Sequence, residues 1–175
     1  ARYGLAQFYL GAPGIAGGSE KKAKEDAEAL LAIDGGAYYG HMLLAQIAAS
    51  EKKWDVMASK YAAAENAATK DSDRAAALRS WSWTLIDKKS DPQAALPLIE
   101  RWQTLAESDD PTPPFVLGRA LLDLGKPAEA AEEYRKVLAI RPDSANAGYA
   151  LADCLEQAGQ QEDALAQYES FVAKH

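Results

Sequence analysis

The sequence has a single cysteine, Cys154, so no disulfide can form within the chain, and the count says little about redox compartment. His41 and His175 are its two histidines, and neither stands in an H-E-x-x-H or comparable ligand spacing, so no metal site is expected. No G-x-S-x-G occurs, and no G-x-x-x-x-G-K-[ST]. No apolar run reaches the roughly 18 residues that a bilayer span needs. There is no basic stripe either: Lys and Arg number 19 against 26 Asp and Glu, a net charge of −7, which argues against nucleic acid as a partner. The carboxylate pairs Asp109-Asp110 and Glu132-Glu133 are adjacent in sequence, and adjacent residues on a helix point apart, so a solvated surface explains them better than acid–base chemistry. These absences predict a non-enzymatic chain with no catalytic residue, no cofactor, no metal and no membrane insertion.

What is present is helical material. Apolar residues make up 48% of the 175, charged residues 26%, and alanine dominates the apolar set, which favours helices and their close approach. The stretch 111–144 organises the rest. Phe115, Leu117, Leu121 and Leu124 fall on one helical face, and Ala130, Tyr134, Val137, Leu138 and Ile140 repeat the stripe after Gly125-Lys126-Pro127. Gly125 suits a helix stop, Pro127 a first turn, and Pro142 ends the second helix. Small residues, Gly118, Ala120 and Ala130, stand where the two helices would cross.

Leu117-Gly118, Leu121, Gly125, Ala130, Tyr134, Val137 and Pro142 fall at the signature positions of a tetratricopeptide repeat, whose period is about 34 residues. From Ala145 the same frame places Leu151-Ala152, Leu155, Gly159, Ala164, Tyr168 and Phe171. The chain therefore resembles the tetratricopeptide-repeat family. The resemblance implies an all-α, right-handed α-solenoid over residues 1–175, in helix-turn-helix pairs at about 1–34, 35–71, 72–108, 111–144 and 145–175. Within that frame Ser19 and Asp91 read as N-caps, Pro92 as a first helical residue, and Pro97 as a bend in its helix. Lys52-Lys53 takes a turn where glycine is usual, and Cys154 takes a small-residue position that packing explains.

In that family the first helix of each pair lines a concave groove that grips peptides. Carried over by position, the partner-binding residues are Tyr39, Met42, Gln46, Ser80 and Trp83, then Phe115, Arg119 and Asp123, then Asn146, Tyr149 and Asp153. Trp81 is expected to pack between repeats. Co-chaperone relatives clamp a C-terminal carboxylate with Lys and Asn; here Phe115 replaces that Lys, leaving Arg119 as the one cation, so chaperone-tail binding is not expected. The function implied is a scaffold for an unknown protein or peptide.

Two stretches stand apart. The connection Gly11–Ser19 is long and glycine-rich, and glycines before a helix can cradle an anion; a wide structural turn is the simpler reading, a ligand or enzymatic site the lesser one. The run PGIAGGS with the charged helix after it, and Gly40-His41, resemble exported bacterial tetratricopeptide proteins over about residues 1–65. That implies an exported or periplasmic location, with the cytoplasm as the alternative. The chain begins without Met, which reads as processing or excision from something longer. Tyr3, Leu5, Phe8, Tyr9 and Leu10 near the start, and Leu165, Tyr168, Phe171 and Val172 near the finish, predict either more chain beyond one or both ends or end-to-end self-association.

Overall fold

The computed structural model of the chain describes residues 2–174. Among these the fold is that of an all-α solenoid, whose helices follow the chain order of the five expected pairs: α1 (Arg2–Gly11) and α2 (Glu20–Leu31); α3 (Ala37–Ser50) and α4 (Trp54–Ala67); α5 (Asp71–Trp83) and α6 (Pro92–Leu105); α7 (Thr112–Asp123) and α8 (Pro127–Ile140); α9 (Ala145–Gln157) and α10 (Gln161–Lys174). The helices gather into two compact units, one ending at Thr84 and the other starting at Leu85.

In the first unit each helix packs on the next, from α1 to α5, and α1 also meets α3. Ala6, Ala27, Leu30 and Leu43 form a small buried cluster, with Tyr3, Leu10 and Leu44 against it. The α2–α3 approach is close because Gly40 has no side chain: a Cβ there would lie 2.8 Å from the Ala27 carbonyl oxygen and 2.7 Å from Leu31 Cδ2. Ser19 caps α2 by accepting a hydrogen bond from the Lys22 amide at 3.3 Å.

In the second unit successive helices pack from α6 to α10. Leu121, Ala130, Tyr134, Val137, Leu151 and Leu155 are among its buried core, and burying each Leu or Val side chain stabilises by about 1.5–3 kcal/mol. Gly118 lies against the Tyr134 ring, whose atoms would sit 3.0–3.2 Å from an added Cβ. The crossing of α7 and α8 is thus glycine against aromatic ring as well as the alanine contacts of the sequence pattern. Asp91 caps α6 as the sequence predicts, accepting from the Ala94 amide at 3.2 Å, and α6 runs unbroken through Pro97.

The turns within the last four pairs share one device. Lys52 (φ 57°), Ser90 (φ 55°), Gly125 (φ 71°) and Gly159 (φ 78°) all adopt the left-handed backbone that ends a helix. At Gly125, for instance, the Gly125 amide bonds the Leu122 carbonyl and the Lys126 amide bonds the Leu121 carbonyl. Lys52 and Ser90 adopt it without glycine, at a cost of about 1–2 kcal/mol each. The interval from Lys52 to Ser90 is four residues longer than that from Gly125 to Gly159. The surplus is taken up in part by a π-helical stretch, Thr84–Lys89. Its cause is local: Ser82 Oγ donates to the Leu78 carbonyl at 2.8 Å and Thr84 Oγ1 to the Ser80 carbonyl at 2.7 Å. Hydroxyls bonding four residues back compete with the α-helical ladder just where it gives way.

Candidate interaction surface

In the second unit the residues expected to face a partner fall into two stripes. Phe115, Arg119 and Asp123 recur every four residues along α7, and Asn146, Tyr149 and Asp153 run along α9 at three- and four-residue spacing. Tyr134 of α8 lies between them as a floor. Phe115 meets its ring edge-on with centroids 5.5 Å apart. Burial, then Cys154, Asp123 and Asp153, raise the Tyr134 phenol above its ordinary range, with Arg119 opposing, so the hydroxyl stays protonated near neutral pH. Arg119, Asp123 and Asp153 therefore share one electrostatic neighbourhood over that hydroxyl.

Within this surface Arg119 Nε donates to both Asp123 carboxylate oxygens, at 3.1 and 3.2 Å, and the pair is largely exposed. Such a surface pair adds little stability, about 0–1 kcal/mol, but it orients the guanidinium. Gln157 donates to Asp153 at 3.0 Å, so Asp153 is held in place by a residue that the sequence reading passed over. Tyr149 is 58% exposed and touches Tyr168 edge-on at 6.0 Å. Asn146 is exposed at the start of α9.

An open pocket of about 400 Å³ extends this surface, bounded by Arg119 and Asp123 on one side and by Ile86, Asp87, Ser90 and Pro92 on the other. Ile86 and Asp87 in the π-helical stretch, and Ser90 and Pro92 after it, were not among the expected partner residues. Their sequence signal was the long interval before Ser90, which marks an irregular connection without saying where it points.

In the first unit the expected residues divide. Tyr39 is 39% exposed and packs on Tyr3 of α1 and on Tyr38, with centroids 4.9 and 5.0 Å apart. Burial first, and Asp73 second, push the Tyr38 phenol up to about 12. Gln46, Ser80 and Trp83 are half-buried. Met42 is a correction: at 3% exposure it belongs to the packed interior of α3 and offers a partner no surface. Groove position and core position are neighbours on a helix wheel, and Met serves either. Trp81 packs as expected, stacking on Tyr61 at 5.9 Å with planes 15° apart.

Other candidates lose their chemistry. Cys154 is fully buried, and burial followed by Asp153 pushes its thiol up to about 11, away from the reactive thiolate. In the glycine-rich connection the amides of Ala16, Gly17, Gly18 and Ser19 bond the carbonyls of Pro13, Gly14, Pro13 and Tyr9. These four amides are therefore not free to cradle an anion, in keeping with a wide structural turn. Gly18 is required for it, because a Cβ would lie 1.8 Å from the Ala12 carbonyl oxygen. Among the described residues no three His, Cys, Asp or Glu gather as a metal site, and no helix is long and apolar enough to cross a membrane.

A family model described as tetratricopeptide repeat matches residues 115–175. No curated protein sequence matches the chain. Among solved structures, a MamA fragment from Desulfovibrio magneticus RS-1, residue 41 to its end, is similar with a TM-score of 0.76 at 13% identity, over 99% of this chain and 92% of that one. PilF of Pseudomonas aeruginosa gives 0.72 at 23% identity, over 99% and 76%. YrrB, described as a TPR protein with an unusual peptide-binding site, gives 0.72 at 18% identity, over 99% and 84%. Residues 115–175 thus belong to the tetratricopeptide-repeat family, and the chain as a whole has the fold of a tetratricopeptide-repeat protein.

Proposed function

We propose that the chain is a non-enzymatic scaffold that binds an extended peptide segment of a partner protein along α7 and α9. The observation that carries this is the arrangement around Tyr134: an apolar anchor point at Phe115, an exposed ring at Tyr149, an Arg119 oriented by Asp123, and Asp153 acting on the same phenol. Rigid aromatics supply contact area at low entropic cost, while the charged groups select register and partner. The carboxylates outnumber the one guanidinium, so the preferred peptide pairs an apolar or aromatic side chain with a basic one and an acidic group for Arg119. The similarity to YrrB, a peptide binder, supports the reading by analogy of fold.

Selection of peptides from a random display library on the immobilised protein tests it. Enriched peptides should carry that pairing, and the double variant Arg119→Ala/Tyr149→Ala should bind them roughly thirtyfold more weakly with an unchanged circular-dichroism spectrum. Undiminished binding by the folded double variant would exclude this surface.

A second reading, self-association, is favoured by one observation. Leu5 (46% exposed) and Phe8 (50%) on α1, and Leu165 (60%) and Val172 (75%) on α10, present apolar side chains to water. Stacking α1 of one copy on α10 of another would cover both sets, a head-to-tail contact that can propagate. Static light scattering over a concentration series should then show mass rising with concentration, and Phe8→Glu/Leu165→Glu should abolish the rise. A constant monomer mass at high concentration would end this reading.

A further inference from the structure

An open pocket of about 450 Å³, apart from the α7–α9 surface, lies where α6 ends, α7 begins and α8 ends. Its floor is apolar: Pro113 and Pro114 from the first turn of α7, with Ala139 and Ile140 from the last turn of α8. Both prolines are buried, so the floor is rigid. The rim is acidic, with Glu107 and Asp110 on the loop between α6 and α7. Asp110 is fixed by Thr112, whose amide and hydroxyl donate to Oδ1 at 2.9 and 2.6 Å. The one basic side chain on the rim, Lys136, gives its ammonium to Glu133 at 2.6 Å, so it does not neutralise Glu107 or Asp110.

The backbone adds to the same field. Two helix C-termini, those of α6 and α8, converge here without a basic residue in the last turn of either, against the single N-terminus of α7, whose first amide is already taken by Asp110. Arg141 follows α8 but does not line the pocket. The unsatisfied carbonyls at a helix C-terminus carry partial negative charge and favour a cation. An apolar floor under a negative rim fits a long side chain with an aliphatic stem and a positive head.

We propose that this pocket docks a lysine or arginine side chain of a partner polypeptide, at a place separate from the α7–α9 surface and independent of it. The stem lies over Pro113, Pro114 and Ile140, and the head meets Glu107, Asp110 and the carbonyl ends. Charge complementarity argues for this occupant: an anionic segment would meet Glu107, Asp110 and two helix C-termini with no free cation.

The probe is an N-acetylated, C-amidated Leu-Arg-Leu tripeptide, titrated to millimolar concentration into the isotope-labelled protein while backbone amide shifts are followed. Saturable shifts are expected at Glu107, Ser108, Asp110 and Ile140, and not with Leu-Glu-Leu. Glu107→Gln should weaken the binding roughly tenfold and Lys136→Gln should strengthen it, since the two changes move the rim charge in opposite directions. Arg119→Ala/Tyr149→Ala should leave these shifts intact, which separates this site from the proposed peptide groove. No saturable shift at these amides, equal shifts with Leu-Glu-Leu, or equal shifts with free spermidine would each overturn the proposal; the last would mean a site for small polycations.

Discussion

Tyr134→Ala is expected to lower the stability of the second unit by about 3–5 kcal/mol, the usual cost of emptying a large aromatic site. Tyr134 is 2% exposed, with Phe115 edge-on above it and the bare backbone of Gly118 against its face. Neither neighbour can collapse into the gap without moving α7. The midpoint of urea unfolding, read by circular dichroism, should fall by about 1–5 M at ordinary denaturant slopes. Tyr134→Phe is the control. No protein group bonds the hydroxyl among the described residues, so the phenylalanine variant should differ by under about 1 kcal/mol. If alanine and phenylalanine cost the same, packing at Tyr134 is not what holds α7 on α8. The same pair of variants separates stability from binding, because only the alanine variant removes the support under Phe115.

In the first unit, Tyr61→Ala should be comparably severe, at about 3–5 kcal/mol, and Tyr61→Phe should cost about 1 kcal/mol. Tyr61 is 1% exposed and stacks on Trp81. Its hydroxyl lies 3.1 Å from Thr84 Oγ1. The Thr84 hydrogen is already committed to the Ser80 carbonyl at 2.7 Å, so the Tyr61 O–H must be the donor in this pair. Removing it leaves Thr84 with its own bond intact, hence the modest figure for phenylalanine. Thermal unfolding followed by tryptophan fluorescence reads both variants, since Trp81 loses its stacking partner only in the alanine case. A near-native Tyr61→Ala would show that the Tyr61–Trp81 stack does not hold α4 to α5.

Much of the fold was legible in the residues because its determinants are local. Apolar residues at three- and four-residue spacing, Gly125 and Gly159 at left-handed positions, and Ser19 and Asp91 at helix starts each act over one or two turns of chain. The lysine turn at residue 52 was legible for the same reason, although it adopts the left-handed backbone at a cost. What escaped was the π-helical stretch from Thr84. Back-bonding by Ser82 and Thr84 decides it, and serine and threonine make that bond in some helices and not in others.

The exposure of the candidate surface was legible in part. Phe115, Arg119, Asp123, Tyr149 and Asp153 have the exposure or half-exposure and the neighbours that a shared surface needs, and Met42 does not. A helical period says which residues share a face, but not which face a neighbouring helix covers. That choice depends on how far each helix is rotated against the next, which the large side chains and glycines of the interior set together.

The sequence by itself thus determined the helices and their turns, since each rests on a few adjacent residues and the backbone preferences they carry. Only the tertiary structure decided that Met42 is interior and that the amides of the glycine-rich loop are spent within it. It alone placed Tyr134 beneath the charged stripe of α7, and Pro113, Pro114 and Ile140 beneath an acidic rim. Apart from the loop, those outcomes join residues of different helices, and no local preference encodes them; they follow from packing side chains of particular volume against one another until the space is filled.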